Sequence, residues 1–66
     1  MRITLNGDPF DVAGPLTIAE LLATLDIDPL VVAVEHNRHI VKRGGFDATR
    51  LQAGDQLEIV NFVGGG

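Results

Sequence analysis

Two histidines, His36 and His39, stand three positions apart, a spacing that on a helix would present two metal ligands together. The residues between them, Asn37 and Arg38, read as a turn, and no cysteine or carboxylate cluster accompanies them, so no metal site is expected. The chain has no serine and no cysteine, which removes two common nucleophiles and any disulfide or thiolate site. Asp26 and Asp28 form a close carboxylate pair, yet they precede Pro29, where acidic turn residues are commonplace. Gly44-Gly45 is too short and isolated to cradle a phosphate. No self-sufficient active site is legible.

The end of the chain, "NFVGGG", carries the remaining chemistry. In the segment "DQLEIVNFV", Leu57 and Ile59 alternate with Glu58, as in a half-buried strand, and Val60 and Phe62 then follow on the Glu58 face. A two-layer fold this small has nothing to cover that face. Burying a Val or Phe side chain stabilises by about 1.5–3 kcal/mol, so two left exposed suggest a partner surface made of Glu58, Val60 and Phe62. Gly64 and Gly65 lack Cβ atoms and can thread a channel too narrow for side chains, presenting the carboxylate of Gly66. A carboxylate is a poor acyl donor, because its leaving group would be oxide. Attack on the α-phosphate of a nucleotide would give an acyl-adenylate with a good leaving group. That step needs a cationic phosphate clamp and a bound metal, and a second protein must supply them.

The elements that position this tail follow from periodicity. "MRITL" alternates, Asn6-Gly7 is a strong hairpin signal, and "PFDV" returns as an edge strand because Pro9 cannot donate to a ladder. In "GPLTIAELLATLDIDP", Thr17 and Glu20 form a capping box, Leu16 and Leu21 a hydrophobic staple, and Ile18, Leu21, Leu22 and Leu25 one apolar stripe. Pro29 is expected to end that helix. "LVVAVEH" reads as a strand covered on much of both faces, and "HIVK" as a short strand after the Asn37-Arg38 turn. One helical turn is expected near residues 46–49, before the last strand. The order β-β-α-β-β-β, with the helix as crossover, makes the first and last strands parallel neighbours in the sheet centre. The expected fold is therefore α+β, a β-grasp (ubiquitin-like) roll with a mixed sheet and one main helix on one face. Residues 1–63 form the single domain and 64–66 a flexible tail. A ferredoxin-like arrangement would need a second helix.

Composition agrees with a compact core and narrows the function. Of 66 residues, 45% are hydrophobic, which a chain without disulfides needs to offset its ordering entropy. The net charge of −4 has the wrong sign for nucleic acid, and the five basic residues are scattered. No apolar stretch approaches the roughly 20 residues of a membrane span, and "MRITLNG" begins a strand at once rather than a signal peptide. A cytoplasmic protein is expected.

The whole chain resembles the ThiS family, sulfur carrier proteins of thiamine biosynthesis. The resemblance rests on "TIAELL", "VAVEHNRHIVKR" and "GDQLEIVNFVGGG". It implies that Gly66 is adenylated by an E1-like partner (ThiF) using ATP and Mg²⁺, neither bound by this chain. It also implies that sulfur, delivered ultimately from cysteine by a donor system such as a cysteine desulfurase, converts Gly66 to a thiocarboxylate. A thiazole synthase (ThiG) then takes the sulfur, the carrier being a co-substrate rather than an enzyme. Asn37-Arg38 stands where family members often have a glycine, and no proline precedes Arg43. Other readings of the same tail are a carrier for molybdopterin synthesis, a ubiquitin-like modifier, or a non-covalent adaptor.

Overall fold

The computed structural model describes residues 1–62; the expected domain boundary at residue 63 and the glycines 64–66 lie outside them. Strand β1 (Arg2–Leu5) turns at Asn6 (φ 50°) and Gly7 (φ 86°) into β2 (Asp8–Asp11). Positive φ at both central residues is the geometry that matches the twist of a hairpin. β2 is an edge strand, with Pro9 opposite Thr4, as the missing proline N–H requires. The core side of the hairpin carries Ile3 and, just past β2, Val12, both buried.

Helix α1 (Ile18–Thr24) begins as its sequence dictates. The Glu20 N–H donates to Thr17 Oγ1 at 3.1 Å, and the Thr17 N–H donates to Glu20 Oε1 at 2.8 Å, a complete capping box. Ile18, Leu21 and Leu22 are fully buried, while Leu25 is only half-buried because it is already the C-cap. The helix stops before Pro29 can act. Asp26 takes φ 59°, its N–H donates to the Ala23 carbonyl, and the Ile27 N–H reaches back to the Leu22 carbonyl. These two reversed bonds are the Schellman arrangement, so backbone closure at Asp26 ends the helix.

The next segment corrects a second expectation. Leu30 and Val31 do not belong to the strand; Pro29–Val31 is a 3₁₀ turn, with the Leu30 N–H donating to Asp28 Oδ1. Proline favours the first position of such a turn and Asp28 caps it. Leu30 is 60% and Val31 45% exposed. Strand β3 (Val32–His36) then alternates, Val32 and Val34 buried, Ala33 and Glu35 exposed, so it is covered on one face rather than both. Asn37 (φ 51°) and Arg38 (φ 72°) form a second tight turn into β4 (His39–Val41). The helical turn anticipated near 46–49 starts earlier, as a 3₁₀ segment at Arg43–Gly45, and runs on through turns that bury Phe46.

The sheet order is β2-β1-β5-β3-β4, where β5 is Gln56–Asn61. β5 lies parallel to β1 and antiparallel to β3, which is the crossover that the element order requires. One face packs α1 and the Phe46–Leu51 stretch over Leu57, Val32, Val34 and Ile3. Among the described residues, no helix is long and apolar enough to cross a membrane.

Candidate functional site

Strand β5 brings the site together, because it occupies the sheet centre and its last residues lead toward the glycines. Leu57 is buried and Ile59 half-buried on the helix side, whereas Gln56, Glu58 and Val60 point outward and are exposed. Val60 is 61% and Phe62 55% exposed, and the Phe62 N–H donates to the Val31 carbonyl at 2.8 Å, holding the chain to the sheet one residue past β5. Val60 lies opposite Ala33, and Glu58 opposite Glu35, on β3. On β4, Ile40 lies opposite Glu35 and is 76% exposed. Phe62 lines an open groove of about 240 Å³ with Leu30, Ala33, Ile40, Lys42 and Arg43. The outer face of the sheet thus carries apolar Ala33, Ile40 and Val60 beside the carboxylates of Glu35 and Glu58, and the groove, which Val32, Val41 and Phe46 also line, lies at its Phe62 end.

Side-chain clamps hold β5 in its C-terminal half and at its N-terminal end. The Ile59 N–H donates to Asn6 Oδ1 at 2.8 Å, and Asn6 Nδ2 donates to the Ile59 carbonyl at 3.2 Å. Asn6 therefore stands in for a strand residue where β1 has already turned away. At the other end, His36 Nε2 lies 2.7 Å from Asp55 Oδ2; a carboxylate only accepts, so this nitrogen carries a proton. Asn37 Nδ2 also donates to Asp55, and the Gln56 N–H donates to Asn37 Oδ1. Partial burial pushes the Asp55 carboxyl up, but the bonds from His36, the Gln52 amide and Asn37, with the charge of His36, hold it below the ordinary carboxylate value.

The residues first considered for chemistry have structural duties. His36 and His39 are cross-strand neighbours; one pins Asp55 and the other, through Nδ1, bonds the Asn37 carbonyl. Among the described residues there is no group of three or more histidines, cysteines and carboxylates able to hold a metal. Asp26 and Asp28 serve the helix end and the following turn. The structure places Glu58, Val60 and Phe62 on one exposed edge-to-edge surface; Gly64, Gly65 and Gly66 lie outside the described residues. Sequence reasoning missed Glu35 and Ile40 on this face. The alternation of "VAVEH" carried the Glu35 signal, masked by the apolar "LV" before it. It also missed Asn6 and Asp55, whose partners lie 53 and 19 residues away in sequence.

Fold and surface together define a ubiquitin-like β-grasp domain with an exposed outer sheet face beside its C-terminal lead. Comparison with known proteins sharpens the class. The ThiS family model matches residues 3–66. A crystal structure of the thiamine biosynthesis protein ThiS from Geobacter metallireducens superposes with a TM-score of 0.88 at 40% identity, covering all of both chains. The sulfur carrier protein ThiS of Bacillus subtilis is 40% identical over 50 residues, 76% of each chain. A thiazole synthase of Magnetococcus marinus is 46% identical over all 66 residues, of which this chain spans 20% of the length. The chain belongs to the ThiS family.

Proposed function

We propose that this chain is a sulfur carrier in which Gly66 is the reacting residue. Its carboxylate attacks the α-phosphate of ATP on an E1-like adenylyltransferase, releasing pyrophosphate and forming an acyl-adenylate. A sulfide equivalent, supplied by a donor such as a cysteine desulfurase, then attacks the acyl carbon. AMP leaves and a thiocarboxylate remains. The activating partner supplies the Mg²⁺ and the phosphate clamp, and the carrier acts in the cytoplasm as a co-substrate. Gly64 and Gly65 are the narrow lead that enters each partner's active site.

The observation that carries this reading is the exposure of Val60 and Phe62 directly before the glycines, in a chain of this family. An uncovered apolar pair at that place suits a domain that docks repeatedly and separates again. Thiazole synthase is the favoured sulfur acceptor, because two proteins of that name contain a region similar to this entire chain. The test is intact-mass measurement after co-production with the activating and sulfur-donating partners. One oxygen should be replaced by sulfur in the full chain, and deletion of Gly66 should abolish both that product and sulfur transfer while the fold persists. Sulfur transfer by the shortened chain would overturn the reading.

A further inference from the structure

Asn6 does more than its turn requires. A tight hairpin turn asks of its first residue only that it tolerate positive φ, which Asn6 does at φ 50° and glycine would do as well. Yet the side-chain amide of Asn6 makes no bond within the turn. Its oxygen accepts from the Ile59 N–H at 2.8 Å and its nitrogen donates to the Ile59 carbonyl at 3.2 Å, so both groups serve one residue 53 positions away. The backbone ladder explains why. β1 pairs with β5 only at Thr4 opposite Gln56 and Leu5 opposite Leu57, and the Asn6 N–H adds a bond to the Leu57 carbonyl. From Ile59 onward, the Asn6 amide is the last hydrogen-bond partner on that side of β5 among the described residues. On the other side β3 holds the strand as far as Asn61, and the Phe62 N–H reaches the Val31 carbonyl.

We propose that Asn6 is a positioning residue for the carrier reaction: by completing the ladder at Ile59 it fixes the direction in which β5 leaves the sheet, and with it the place where Gly66 reacts. This deepens the sulfur-carrier reading and rests on it. The four residues from Val63 to Gly66 span at most about 14 Å when extended, so so short a lead passes any swing of the strand end on to the carboxylate. Attack on an α-phosphate is sensitive to such a swing, since displacing a reacting atom by about 1 Å can cost about a hundredfold in rate. With β3 alone gripping it, the segment from Ile59 to Phe62 would be bonded along one edge and free to twist about that edge. The Asn6 amide closes the second edge where β1 no longer follows. The duty selects asparagine. Aspartate keeps the acceptor for the Ile59 N–H but turns a second oxygen toward the Ile59 carbonyl, and glycine keeps the turn but offers neither group.

The variants Asn6→Gly and Asn6→Asp test this in the full chain, by amide hydrogen exchange and by ATP–pyrophosphate exchange with the E1-like adenylyltransferase of the same organism. Three amides separate the clamp from the turn and the core. Phe62 bonds Val31 and reports on the strand end, Val12 bonds Met1 and reports on the hairpin, and Leu51 bonds Leu16 and reports on the core. In Asn6→Gly, protection at Phe62 should fall about tenfold or more beyond any change at Val12 and Leu51. In both variants kcat for pyrophosphate exchange should fall about fivefold or more while KM for the carrier changes less, the pattern of a bound but misplaced reactant. Wild-type kcat in Asn6→Gly, with the wild-type pair active, overturns this inference and leaves the carrier reading standing. A loss of protection shared equally by the three amides makes Asn6 a stability residue only and overturns it too, as does a rise in KM alone. Absence of pyrophosphate exchange with the wild-type chain overturns the carrier reading and this inference with it.

Discussion

Asp55 accepts hydrogen bonds from three directions, the His36 ring, the Gln52 amide and the Asn37 side chain, while only 13% of its side chain remains exposed. A carboxyl whose folded pKa is depressed contributes stability that is fully present above the unfolded value. That stability is lost as pH falls through the folded one. For Asp55 the window therefore opens below about pH 4 and extends downward. Replacing Asp55 by Asn should cost about 1–3 kcal/mol at neutral pH, since all three bonds are accepted by a charged carboxylate. It should also flatten the acid limb of the stability curve measured by urea unfolding. The exposed Arg2–Asp11 pair, which lowers Asp11 in the same direction, is present in both proteins and serves as an internal control. An unchanged slope below pH 4 in the Asn variant would show that Asp55 does not govern acid unfolding. This network was not legible in the sequence. His36 and Asn37 are adjacent to each other, but their acceptor comes into reach only when β5 has taken its register.

At the scale of elements, local codes were legible where side chains speak to their own backbone. The Thr17–Glu20 box, the Asn6-Gly7 turn and Pro9 at the sheet edge are each found in place, because each depends on residues within a few positions. Element ends were less legible, because a proline announces a stop more loudly than a closure that any αL-tolerant residue can supply. Asp26 is such a residue. It holds φ 59° with no side-chain bond among the described residues, and it sets a negative charge at the helix C-terminus, where the macrodipole opposes it. Asp26→Gly should relieve both effects against the greater backbone entropy of glycine, for a net gain of about 0.5–1 kcal/mol. Thermal unfolding would register this as a rise of a few degrees; a fall would mean that Asp26 makes an interaction that outweighs its strain.

Across the whole molecule, one sheet face builds the core and the other stays exposed as the proposed recognition surface, and the two can be separated by substitution. The core face holds Ile3, Val34 and Leu57, each about 1% exposed, against α1. The outward pair Val60 and Phe62 was legible from strand alternation alone, since a single helix can cover only one side. The breadth of the outer face was not, because Glu35 and Ile40 join it only through pairing of β3 with β5 and β4. Phe62 sits at the boundary of the two duties, its backbone bonded to Val31 and its ring 55% exposed over the groove. Phe62→Asp removes only the covered half of the ring and leaves the backbone bond, so it should cost the fold about 1 kcal/mol or less. The same change places a charge on the proposed docking surface beyond Val60, and partner affinity should fall by about tenfold or more. Circular dichroism melts and titration against the activating partner, measured on the same preparation, separate the two. A loss of several kcal/mol in stability would put Phe62 in the core's service, and unchanged affinity would remove it from the docking surface.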